Sequence, residues 1–327
     1  MDTAALFQKL KEGDRAALGR AITLIESGRG TDRERARELL RLCQHQGGQA
    51  QRIGITGIPG VGKSTLIDAL GMQLIGKGHR VAVLAIDPSS VRSGGSILGD
   101  KTRMDRLSNE ANAFIRPSPT GGTLGGVARR TRETILLCEA AGYDRILIET
   151  VGVGQSELEV DRLCDLNVLL MIAGAGDELQ GIKRGIMESA DLVVFTKADG
   201  DAKQRAEAAA RDLRHALAML PPRRKEEKVP ILLTSATEGK GITELIDAID
   251  RLFAVDGASG RSRARRQQQA LYWFQQAIEE ELLRRFNNDP AIQQLRLEKE
   301  EEIRSGKKSP YDAAIELIDR FLPDSKR

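Results

Sequence analysis

The chain has 327 residues, 40% of them hydrophobic and 30% charged, with a net charge of +3. That composition suits one sizeable globular domain with helical additions, or two domains, and it supplies no bulk electrostatic attraction for nucleic acid. Cys43, Cys138 and Cys164 lack C-x-x-C spacing, which argues against a disulfide framework and a sulfur metal site. No apolar run reaches the roughly 20 residues of a membrane span. Asp2, Glu12 and Asp14 at the N-terminus do not fit a leader peptide, so a cytoplasmic protein without membrane contact is expected.

Residues 1–50 read as an N-terminal helical extension. Leu18, Ile22 and Ile25 recur on one helical face, as do Leu39, Leu40 and Cys43, and this predicts an amphipathic cap packed on the domain that follows. From 51 to 256, short apolar runs alternate with longer helical stretches, the pattern of βαβ units and a mostly parallel sheet flanked by helices. Strands are predicted at 52–56, 80–86, 144–149, 167–172, 191–195 and 229–233. Helices are predicted near 64–76, 124–141, 201–220 and 241–253. Ligands of such sheets bind beyond the carboxyl ends of the strands.

The first strand runs into Gly57, Ile58, Pro59, Gly60, Val61, Gly62, Lys63 and Ser64, followed by Thr65. This fits G-x-x-x-x-G-K-[ST], the P-loop, in its strand–loop–helix setting. Glycines let successive N–H groups turn toward phosphates, and the following helix aims its positive end at the same place. Lys63 supplies a phosphate counter-charge and Ser64 a hydroxyl ligand for Mg²⁺. A nucleoside triphosphate is the expected ligand.

Later strand ends carry matching chemistry. Asp87 follows the second strand and opens a long loop, where it reads either as a functional carboxylate or as a turn residue. Glu149 and Gly152 stand where GTPases carry D-x-x-G, with the acid placed to hold a metal-bound water and the glycine N–H offered to a γ-phosphate. Thr196-Lys197-Ala198-Asp199 is a variant of the guanine-reading N-K-x-D. The Asp199 carboxylate can accept two N–H groups from guanine, and Lys197 can lay its stem over the base. Threonine in the first position puts the usual bracing of the P-loop in doubt. Ser235 and Ala236, with Thr237, match the element that offers a backbone N–H to the guanine oxygen. The order of these elements predicts GTP and GDP as ligands.

Residues 257–327 read as a C-terminal helical arm. Gly257 to Gly260 reads as a hinge, and the basic run Arg261 to Arg266 as a solvated helix face. Leu271, Phe274, Ile278, Leu282 and Phe286 form one apolar stripe with Trp273 beside it. A stripe of that size is an association site, and a homodimer is the expected way to cover it.

Together, residues 57–65, DPSS at 87–90, GGSILGDKTRM at 94–104, ETVGVGQSE at 149–157 and GAGDELQGIKRG at 174–185 resemble the MeaB/ArgK family, GTPases associated with methylmalonyl-CoA mutase. The resemblance runs through nearly the whole chain. It implies a P-loop NTPase core of the SIMIBI class, a homodimer, and chaperoning of an adenosylcobalamin-dependent mutase by gating cofactor loading and preventing inactivation. It places Asp87, Asp100 and Glu149, with Ser64, around Mg²⁺ and the γ-phosphate, and makes 174–185 an extra switch that reports to the mutase. Gln155 lies three positions beyond Gly152, too far along to be the water-positioning glutamine of small GTPases. Lys183 or Arg184 is then either a stabilising cation or an exposed helix charge. Two other readings stay open: a nickel-type metallochaperone GTPase, which the absence of a Cys/His cluster disfavours, and a transport-related kinase or ATPase.

Overall fold

The computed structural model describes residues 2–27, 29–44, 50–86, 104–116, 124–150, 156–174, 184–219, 223 and 228–322. The chain divides into two compact units, Met1–Arg266 and Gln267–Arg327.

In the first unit, three helices precede the sheet among the described residues: α1 (Thr3–Lys11), α2 (Arg15–Glu26) and α3 (Gly30–Gln44). Asp14 caps α2 by accepting from the N–H groups of Ala16 and Ala17, and the Ala17 N–H leads in holding its carboxyl below the ordinary range. The apolar faces of α2 and α3 pack on α6 (Leu124–Ala140), with Leu18, Ile22, Leu39 and Cys43 fully buried. The amphipathic pattern therefore does form a cap on the sheet domain.

Among the described residues seven strands follow: β1 (Gln51–Gly57), β2 (Val81–Ile86), β3 (Ala113–Arg116), β4 (Arg145–Thr150), β5 (Leu166–Ile172), β6 (Leu192–Thr196) and β7 (Ile231–Leu233). Their order across the sheet is β3-β2-β4-β1-β5-β6-β7, and all the pairings are parallel. All six residues of β2 are buried, as a strand covered on both faces requires. One face packs on α4 (Lys63–Gly76) and α10 (Ile242–Ala258), through Leu66, Leu70, Leu147, Val168, Leu245 and Ile249. Each such side chain contributes about 1.5–3 kcal/mol by leaving water. The short α5 (Asp105–Ser108) is pinned to α4, where Asp68 accepts from the Leu107 N–H at 2.9 Å. A second cluster joins β5 and β6 to α9 (Ala202–Leu217) through Met171, Phe195, Ala206 and Leu213. Burial pushes the Cys43 and Cys164 thiols up to about 12, so both behave as small apolar groups.

Three sequence expectations need correction. The sheet has an additional edge strand, β3, whose four residues include only one fully buried position and so carry little periodic signal. Gly257 to Gly260 is no open hinge: α10 runs through Ala258, and Ser259–Gly260 makes a tight turn, with Gly260 at φ +73°, into α11 (Arg261–Asn288). The basic run at the start of α11 is not a solvated face either. Arg265 donates to Asp161 at 2.8 Å and Asp191 at 3.1 Å, while Arg266 donates to Asp165 at 2.6 Å and 2.7 Å.

The second unit continues α11 and adds α12 (Pro290–Arg304) and α13 (Pro310–Phe321). Asp289 and Ser309 cap these two helices, each followed by proline at the first helical position. On α11, Leu271, Phe274 and Leu282 are 69%, 65% and 51% exposed. Trp273, by contrast, is buried, and Phe286 meets Phe321 edge-to-face with ring centroids 5.3 Å apart. The open apolar stripe is therefore shorter than its spacing implies.

Candidate nucleotide site

The site is built where β1 turns into α4. Gly57 ends the strand at φ +147°, and a Cβ there would lie 2.7 Å from the Leu170 carbonyl of the neighbouring strand. Gly62, at φ +102°, occupies the left-handed N-cap position of α4. A side chain at either point is disfavoured, and the loop between them curls tightly. Val61 is fully buried and Ile58 packs on the core, which leaves Pro59, Gly60 and Thr65 at the surface.

Lys63 opens α4, and its side chain reaches back under the loop. Its Nζ donates to the Gly57 carbonyl at 2.7 Å and the Ile58 carbonyl at 3.0 Å. The ammonium is thus held inside the ring of backbone rather than in solvent. The Ser64 hydroxyl donates to Glu149 Oε1 at 3.0 Å. Glu149 is buried near the end of β4, where it sits opposite Ile55 of β1. A hydroxyl, a carboxylate, a confined cation and the N-terminus of a helix converge at one end of the sheet. This is the chemistry that receives polyphosphate.

A second loop pair lies beside it. Lys197 follows β6 with φ +53°, left-handed and costly for a residue with a Cβ. That turn lets its Nζ donate to the Gly60 carbonyl at 2.8 Å. The Thr196 hydroxyl donates to the Val61 carbonyl at 2.5 Å, with the Met171 carbonyl its other acceptor at 3.2 Å. The doubt over P-loop bracing is thereby resolved: threonine keeps the brace through a shorter side chain, because the loop carbonyl comes close to the strand end. Thr196→Val should leave two buried carbonyls without that donor. It is expected to cost about 1–3 kcal/mol of stability and to raise the GDP dissociation constant, both readable by thermal denaturation with and without nucleotide. Unchanged melting and affinity would remove the brace.

Asp199 accepts from the Ser235 hydroxyl at 2.6 Å, and that same oxygen accepts from the Glu238 N–H at 3.3 Å. Thr237 Oγ1 lies 3.1 Å from it, and the Ala198 N–H donates to the Thr234 carbonyl at 3.0 Å. Ser235 therefore does more than precede Ala236: its side chain orients the Asp199 carboxylate. The sequence signal was a hydroxyl residue placed where a small residue alone would have sufficed. Of the other predicted site residues, Asp87, Asp100, Gly152 and Lys183 lie outside the described residues, as does Gln155.

A family model described as "Methylmalonyl Co-A mutase-associated GTPase MeaB" matches residues 18–291. The chain belongs to the MeaB family. Among related MeaB-type sequences, "GTPase ArgK" of Escherichia coli is 48% identical over 280 residues, covering 86% of this chain and 85% of that one. The mouse protein "Methylmalonic aciduria type A homolog, mitochondrial" is 47% identical, covering 97% of this chain and 79% of its own length. A solved structure described as "LAO/AO transport system kinase" superposes with a TM-score of 0.75 at 37% identity, spanning 98% of this chain and 97% of that one. This MeaB-family protein is a P-loop GTPase.

Proposed function

We propose that this GTPase is a nucleotide-gated chaperone of an adenosylcobalamin-dependent acyl-CoA mutase of the methylmalonyl-CoA type, gating cofactor loading and guarding the enzyme against inactivation. The observation that supports the reading is the P-loop, with Ser64 on Glu149 and Ser235 on Asp199, in a chain matched to a mutase-associated family over most of its length. In this reading the product that matters is a conformational state of the partner, not a released metabolite.

The Ser64 hydroxyl and Glu149 carboxylate form an all-oxygen pair, the donor chemistry a hard cation such as Mg²⁺ takes. Asp87 and Asp100 are proposed to complete that site. Bound there, Mg²⁺ would neutralise the β- and γ-phosphate charge. Lys63 contributes a further positive charge from beneath the loop, and the N–H groups of Gly62, Lys63 and Ser64 at the start of α4 face the same anion. Gly152 is assigned to the γ-phosphate, and Lys183 to the charge that develops during transfer when the partner is bound. With no water-positioning side chain evident in the sequence motifs, slow basal hydrolysis stimulated by the partner is expected. The exposed Leu271, Phe274 and Leu282 support a homodimer built on the second unit, and the cytoplasm is its proposed location.

The test combines purified protein with methylmalonyl-CoA mutase. Mutase should raise the GTP turnover rate, and light scattering of the full chain alone should give the mass of two chains. Asp177→Ala is expected to spare basal turnover and lose the stimulation, and Lys183→Ala to lose it also. Basal and stimulated rates falling together in Asp177→Ala would assign 174–185 to basal catalysis. Absent stimulation of the unaltered protein would refute the mutase reading.

Superposition on a protein described as a transport system kinase supports a second reading, phosphoryl transfer to an acceptor. Following γ-³²P-labelled GTP separates the two: label in free phosphate supports the GTPase switch, label on an acceptor the kinase.

A further inference from the structure

Two helices return from the nucleotide end of the sheet toward the starts of β5 and β6, where residues at or just beyond their last turns meet the same pair of arginines. One is α7 (Ser156–Asp161), which follows the ETVGVGQ stretch, and the other is α8 (Arg184–Ser189), which follows 174–183. Asp161 closes α7. Asp191 lies two residues beyond α8 and immediately before β6, with its side chain fully buried. Arg265 donates to Asp161 Oδ1 at 2.8 Å and to Asp191 Oδ2 at 3.1 Å. Arg223 contacts the same two carboxylates, at 2.5 Å and 3.3 Å. The four side chains form a closed ring, and Arg265 belongs to the second turn of α11.

Each helix is packed or hydrogen-bonded to the sheet close to this ring. A Cβ on Gly54 of β1 would lie 2.5 Å from Val160, so α7 rests directly on the strand that leads into the P-loop. At the end of α8, the Ser189 hydroxyl accepts from the Asn167 side-chain amide at 3.2 Å, and the Asn167 N–H donates to Asp191 at 2.9 Å. A guanidinium suits the position because its rigid fork can engage two carboxylates together. The arginine side chains are only 12% and 18% exposed, so salt screens the pairs weakly, and Arg261 adds a further contact to Asp191 at 3.4 Å. Such a ring favours discrete arrangements over graded ones.

We propose that the Asp161–Arg265–Asp191–Arg223 ring couples the nucleotide state of the site to the root of α11, the helix that continues as the opening of the second unit. This rests on the proposed reading of ETVGVGQ and 174–185 as nucleotide-responsive segments. It adds the route by which they act on the helical arm.

Hydrogen exchange of the full-length protein tests it, with GDP and with the non-hydrolysable analogue guanosine 5′-(β,γ-imido)triphosphate. In the unaltered protein the amides of α7, of α8 and of 261–268 should exchange at different rates with the two nucleotides. In Asp161→Asn the difference should persist in α7 and vanish in 261–268, with GDP affinity unchanged. A merely structural role would raise exchange equally with both nucleotides and leave the difference in place, which overturns the coupling. So does an unaltered protein in which α7 responds and 261–268 does not. If neither nucleotide protects the first turns of α4, the nucleotide site itself fails and the coupling falls with it. Arg265→Lys, which keeps the charge and loses the fork, carries the same comparison should Asp161→Asn not fold.

Discussion

Lys63→Ala is expected to abolish GTP hydrolysis while leaving the circular dichroism spectrum unchanged. The side chain lies under the P-loop, with its Nζ on the carbonyls of Gly57 and Ile58. Truncation removes one buried donor from two carbonyls, which costs about 1–3 kcal/mol against a typical stability of about 5–15 kcal/mol. The sheet, held by the apolar faces of α4 and α10, should survive that loss. The phosphates would lose a cation that meets them with little intervening water. Charge-assisted contacts of about 1.5–3 kcal/mol each, two or more in number, amount to at least a hundredfold in affinity, with a further loss in the transition state. Phosphate release and fluorescent-nucleotide titration would measure both, and normal turnover in a folded Lys63→Ala protein would remove the P-loop from the mechanism.

Asp199→Asn is expected to weaken GTP at least about a hundredfold and to favour xanthosine triphosphate, because two charge-assisted contacts of about 1.5–3 kcal/mol each are exchanged. The geometry makes this a clean change. Ser235 donates to Asp199 at 2.6 Å, and the amide oxygen of asparagine can accept the same bond, so the loop stays in place. What changes is the atom facing the base: an N–H where guanine also presents N–H, and a match for the xanthine carbonyl. Competition binding with the two triphosphates reads it directly. An unaltered protein that takes ATP as tightly as GTP would end the guanine assignment.

Most of the sheet was legible because interior strands such as β2 and β6 are short, largely apolar runs buried on both faces. The nucleotide site was legible for a related reason: its residues follow strand ends at the spacing set by parallel topology. The errors share a cause as well. β3 is a short edge strand, so burial leaves no periodic mark on it. The Arg261–Arg266 run resembled a solvated face because its partners, Asp161, Asp165 and Asp191, lie far away in sequence. Trp273 is buried for reasons its neighbours along the helix do not encode. Thr196 departs from the motif in sequence, but how near Val61 approaches is set by the fold and not by the motif.

The strand order has a consequence for how the molecule comes into being. β1 ends in the phosphate loop, yet its two neighbours, β4 and β5, begin only at Arg145 and Leu166. During synthesis the loop emerges first and must wait for roughly a hundred further residues before either flank can pair with it. Contacts so distant along the chain make for slow closure. Until then the backbone groups of β1 lack their partners, and an apolar strand with open edges invites association with other chains. At the proposed site guanine nucleotide needs Glu149, Asp199 and Ser235, which β4, β6 and β7 deliver, so on that reading it cannot guide the early steps. It can only draw the last equilibrium toward the finished sheet, by an amount that grows with the logarithm of its concentration. Nascent chains halted before β5 should therefore be the ones that engage holding chaperones, whatever the GTP level.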